Sequence, residues 1–161
     1  MSPLSSVFYS KRVVIFIGLE KKTIFAILSA MKKLAQTTGT YRAEAGSGRY
    51  IVEVALRVMQ DSISMEITGG EKPHVGCVIL ATPAEGQERG CNLQMLTLPE
   101  HKDHVLAAPL AEELCLKTGY TVSVSAGIHI DNAEKHEIIM LTENARKALD
   151  NVLAKMKIEQ K

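Results

Sequence analysis

The sequence predicts an α+β domain, a mainly antiparallel sheet in the order β-β-β-β-α-β-α with two helices packed on it. Three observations carry that expectation. Between Arg49 and Thr68 two stretches alternate apolar and polar residues with the period of half-buried strands. A nearly continuous apolar run, His74 to Thr82, comes next. Two segments with apolar residues spaced near 3.6 lie late in the chain, on either side of one more alternating stretch.

Residues 1–40 read as an N-terminal extension. Lys11 and Arg12 precede a short apolar run, Val13 to Leu19, which Glu20-Lys21-Lys22 interrupts. No small-x-small cleavage site follows, so the pattern does not match a secretory signal. Thr23 to Leu34 has helical periodicity through Ile24, Ile27, Leu28 and Met31, which predicts an N-terminal helix, and Met31 is also an alternative translation start. Neither apolar piece approaches the roughly 18 to 20 residues needed to span a bilayer. Thr37 to Gly48 is small and polar and reads as a linker. The domain itself is expected over residues 41–156, with a charged tail at 157–161.

In the first strand Tyr50, Val52, Val54, Leu56 and Val58 alternate with Arg49, Glu53 and Arg57. Gln60-Asp61 turns the chain. Ile63, Met65 and Ile67 then alternate with Ser62, Ser64, Glu66 and Thr68, so the two strands form a hairpin that Gly69-Gly70 ends. The run from His74 to Thr82 suits a central strand covered on both faces. Pro83 to Gly90 is a charged loop and Cys91 to Leu98 a weaker strand.

A helix starts at Asp103 or a neighbour, with Val105, Leu106, Leu110, Leu114 and Cys115 on one stripe and Gly119 as its C-terminal cap. Pro109 puts the regular part of that helix after it. From Thr121 to Ile130, Val122, Val124, Ala126, Ile128 and Ile130 face one way. Thr121, Ser123, Ser125, Gly127 and His129 face the other. The last helix begins between Asp131 and Lys135 and buries Ile138, Leu141, Ala145, Leu149, Val152 and Met156.

Composition narrows the function classes. At 161 residues, with 46% hydrophobic and 23% charged, the chain reads as one soluble globular domain. A net charge of +1 leaves no electrostatic footprint for nucleic acid or an anionic membrane. With no Trp there is little to stack bases on. Cys77, Cys91 and Cys115 lack CxxC spacing, which fits reduced thiols in the cytoplasm rather than a disulfide framework or a zinc site.

Two strand-to-helix junctions concentrate the remaining chemistry. Gly127-Ile128-His129-Ile130-Asp131-Asn132-Ala133 packs an imidazole, a carboxylate and an amide where a helix start leaves N–H groups unpaired and favours an anion. Leu98-Pro99-Glu100-His101-Lys102-Asp103 repeats the theme, with Lys102 placed to meet a phosphate. Each junction also has a structural reading. Asp131 followed by Glu134 is an acidic relative of a capping box, and Asp103 is a helix cap. His74 begins the apolar strand beside Gly76, and His104 and His136 read as helix-surface residues. The motifs G-x-S-x-G, the P-loop and G-x-G-x-x-G are absent, and no cysteine has a nucleophile's context.

His74-Val75-Gly76, Ala81-Thr82-Pro83, Pro99 with His101-Lys102-Asp103, and above all Gly127-Ile-His-Ile-Asp-Asn-Ala133 resemble the prenylated-flavin chaperone family. These are LpdD-like small proteins encoded beside UbiD-type gallate and protocatechuate decarboxylases. The likeness covers Arg42 to Leu153 and departs at Pro99-Glu100, where the family pattern is Pro-Gly. It implies a non-catalytic, cytoplasmic protein that binds reduced prenylated FMN, shields it and passes it to an apo-decarboxylase. It also implies a fold similar to proteasome-assembly-chaperone domains, and a homodimer. On this reading Lys102 and the helix starts hold the phosphate, and Gly76 and Gly127 let the isoalloxazine lie against backbone. His74 or His129 meets its polar edge, and His101, Asp131 and Asn132 complete the set. Two other readings stand beside it. One is a protein–protein assembly module. The other is an accessory subunit of an aromatic-acid decarboxylase, with a metal where His74, His101 and His129 converge.

Overall fold

The computed structural model describes residues 9–10, 13–14, 38–84 and 90–159. The chain divides into two compact units, residues 1–36 and 37–161. The described part of the first is a short antiparallel pair, Tyr9–Ser10 with Val13–Val14. The helix expected over Thr23 to Leu34 lies outside the described residues.

The second unit is α+β. Its strands are β1 (Gly39–Ala45), β2 (Val52–Val58), β3 (Ser62–Gly70), β4 (Cys77–Pro83), β5 (Cys91–Thr97) and β6 (Thr121–His129). Helix α1 (His104–Thr118) precedes β6 and α2 (Lys135–Glu159) follows it. The six strands form one sheet in the order β1-β2-β3-β6-β4-β5.

That sheet corrects the expected architecture twice. It is mixed rather than antiparallel throughout, because β3 and β6 run parallel at its centre. The other neighbours are antiparallel. A parallel pair needs a long crossover, here β4, β5 and α1, and local alternation carries no trace of it. The stretch read as a linker also contains a strand. Tyr41 and Ala45 pack on the core and Ala43 is buried, whereas Thr40, Arg42 and Glu44 face outward. Alanines give a weak apolar signal, which is how an edge strand passes for a loop.

Both helices lie on one face of the sheet. In register, Val54, Ile67, Ala126 and Cys77 sit side by side across β2, β3, β6 and β4, all buried. Helix α1 covers β4, β5 and β6, while α2 covers β1 and β2. Val52, Val54, Leu56 and Ile67 have no exposed surface, each burial being worth about 1.5–3 kcal/mol. Among the described residues no helix lies on the opposite face. There Val78 and Leu80 of β4 are 45% and 38% exposed, so β4 is covered on one face and not on both.

Two helix expectations also change. Pro109 sits inside α1, six residues along it and facing solvent, where the Val105 carbonyl it leaves unbonded is on an exposed residue. Ile138, expected in the α2 core stripe, is 54% exposed, although Leu141, Ala145, Leu149, Val152 and Met156 are buried. Gly119 caps α1 as expected, its N–H donating to the Cys115 carbonyl at 2.7 Å. Among the described residues no helix is long and apolar enough to cross a membrane.

Candidate functional site

The two junctions meet. The end of β6 and the start of α1 lie at the same end of the sheet, and the Ile128 N–H donates to Asp103 Oδ1 at 2.8 Å. Asp103 is therefore not the cap of α1, whose start it occupies without a capping bond. Its buried carboxylate ties one junction to the other.

Behind that tie sit the two glycines. A Cβ on Gly76 would lie 2.0 Å from Asp103 Oδ2, and one on Gly127 would lie 2.1 Å from the His74 carbonyl oxygen. The space that sequence reasoning reserved for a flat ligand is filled by the protein's own His74 and Asp103. Gly76 and Gly127 shape the site by admitting those residues.

His74, His101 and His129 come together, with ring centroids 4.9 Å apart for His74 and His101 and 6.0 Å for His74 and His129. Each ring is oriented by a fixed partner. His74 Nδ1–H donates to the Lys72 carbonyl at 3.0 Å and His101 Nδ1–H to the Pro99 carbonyl at 2.9 Å. His129 Nε2–H donates to Asp131 Oδ1 at 2.8 Å. Among the described residues no group of three or more His, Cys, Asp or Glu side chains could hold a metal ion.

His74 has a second acceptor. Its Nε2 is buried, without a hydrogen bond, and 3.7 Å from Asp103 Oδ2, within ion-pair range but too long for a hydrogen bond. His74 is the one ion-pair-range partner of Asp103 among the described residues.

Asp131 and Asn132 lie beside the cavity rather than on its lining. Asp131 also binds the Lys72 ammonium, which, ahead of the His129 ring, holds its carboxyl below the ordinary carboxylate range. Asn132 supplies the left-handed turn into α2, with φ 54°. The cap of α2 falls three residues later than expected, where the Glu134 N–H donates to Glu137 Oε2 at 2.8 Å.

In front of the imidazoles opens a cavity of about 370 Å³, within the range of small-molecule sites. Its polar lining includes His74, His101, Lys102, Asp103 and His129. Lys102 is exposed and, among the described residues, has no carboxylate partner. Its apolar lining includes Leu106, Ile128, Ile138 and Leu141. Glu100 stands on the lining with φ 65°, the left-handed conformation glycine adopts freely. Sequence reasoning missed the apolar lining because its members come from α1, β6 and α2 and share no local pattern. The thiols near the core are poor nucleophiles. Burial, then the nearby Asp103, raises Cys77, and burial and contact with Cys91 push Cys115 up to about 11.

Residues 46–157 match the prenylated flavin chaperone LpdD-like domain. The chain belongs to this family. No curated protein matches it. Among solved structures, this LpdD-like chain is similar to one described as a novel chaperone complex for yeast 20S proteasome assembly. That similarity has 17% identity and a TM-score of 0.51, covering 76% of this chain and 98% of the other, and it shows a shared fold.

Proposed function

We propose that the cavity binds reduced prenylated FMN and that this LpdD-like chain shields the cofactor and passes it to a UbiD-type aromatic-acid decarboxylase in the cytoplasm. The observation that carries the reading is the mixed lining of the cavity. Unpaired Lys102 and three oriented imidazoles suit the phosphate and the polar edge of a flavin nucleotide, and the aliphatic lining suits its apolar body.

The test is anaerobic titration with reduced prenylated FMN of the wild type, His129→Ala and Lys102→Ala. Each variant is expected to weaken binding roughly tenfold or more, the weight of one charged hydrogen bond, with its folding unchanged. Unchanged affinity in both variants would remove the site.

We further infer that the partner on the sheet face away from α1 and α2 is a second copy of this chain. Val78, Leu80 and Leu96 are exposed there, on paired strands, 78% so for Leu96. Contiguous exposed apolar side chains of this kind mark protein contacts.

A further inference from the structure

Helix α2 buries one stripe against the sheet, and that stripe has a member out of place. Leu141, Ala145, Leu149 and Val152 are buried, yet Ile138, one turn nearer the helix start, is 54% exposed and lines the cavity beside Leu141. Leu106 of α1 and Ile128 of β6 line it too, together with the imidazoles and Lys102. A ligand that fits such a lining carries both polar and aliphatic groups.

We propose that Ile138, with Leu106, Ile128 and Leu141 behind it, is the specificity determinant for the isoprenoid-derived part of the cofactor, and so distinguishes prenylated from plain FMN. The proposal rests on the flavin reading above. Plain FMN presents the same phosphate and pyrimidine edge to the polar lining but has no branched aliphatic group to cover Ile138. A prenylated flavin removes the exposed surface of Ile138 from water, and that gain is specific to the prenylated form. A pocket recognising a few aliphatic carbons discriminates roughly 10- to 200-fold.

The experiment compares the full chain with Ile138→Ser and Ile139→Ser, each titrated anaerobically with reduced prenylated FMN and with reduced FMN. Both positions are about half exposed on the same helix, so neither variant opens a core cavity, but Ile139 does not line the pocket. Ile138→Ser is expected to lower affinity for the prenylated form roughly tenfold and leave that for FMN unchanged. Ile139→Ser is expected to change neither. Flavin binding with the same prenylated-to-plain ratio in Ile138→Ser overturns the proposal alone, as does an equal shift in Ile139→Ser. A wild type that binds neither flavin removes the flavin reading as well.

Discussion

A methyl group at Gly127 would press on the His74 backbone, which cannot swing aside as a side-chain end can. Gly127→Ala is therefore expected to displace His74 and cost about 1–3 kcal/mol of stability, read by denaturant unfolding. Flavin affinity should fall with it. The sequence marked Gly76 and Gly127 as places of close approach, and they are. It could not tell what approaches, because Asp103 and His74 reach them from elements distant in the chain. Glu100 was legible from the other direction. Where the family pattern has glycine this chain has a carboxylate, and the structure holds it at φ 65°. A left-handed conformation costs a side chain about 1–2 kcal/mol. Glu100→Gly is expected to raise the denaturant midpoint, by about 1 kcal/mol of stability. It should also tighten binding of reduced FMN, because an anion leaves the cavity lining.

At the start of α2 the buried Glu137 carboxylate collects three donors: the Tyr50 hydroxyl at 2.6 Å, the Arg49 guanidinium at 3.1 Å and the Glu134 N–H at 2.8 Å. The Tyr50 hydroxyl first, then the Glu134 N–H, holds its carboxyl below the ordinary range. A carboxyl lowered on folding stabilises the fold at pH above its unfolded value and loses that contribution as pH falls through its folded one. The thermal midpoint of the wild type is accordingly expected to drop more steeply below about pH 5 than that of Glu137→Gln. Parallel curves would assign the acid sensitivity to other groups. Sequence reasoning placed this cap at Asp131 because the acidic pattern occurs twice in overlap, at Asp131 with Glu134 and at Glu134 with Glu137. What decides between them is Lys72, 59 residues before Asp131, which takes that carboxylate for itself.

For the whole molecule, the α+β class and most strands were legible because one-faced burial writes itself as alternation. The parallel pairing was not, since it is a property of connections. The uncovered face was misjudged for a related reason. An apolar run looks the same whether a helix, a partner or water covers its second side. If a second copy covers it, Leu96→Asp is expected to convert a dimer to a monomer in light scattering after size exclusion, with the fold retained because Leu96 is 78% exposed. A wild type that already runs as a monomer would end that assignment.

The place of β6 in the sheet also sets an order of events at the ribosome. The hairpins β1-β2-β3 and β4-β5 are complete in sequence before residue 100, yet they are not neighbours, and the strand that joins them ends at His129. Until it emerges, the nascent chain carries two half-sheets with unpaired edges facing each other's future position. The insertion that closes the sheet brings Ile128 and His129 to Asp103 and His74. The cavity lined by these residues is thus completed only after the sheet is joined, and a chain truncated before β6 lacks it.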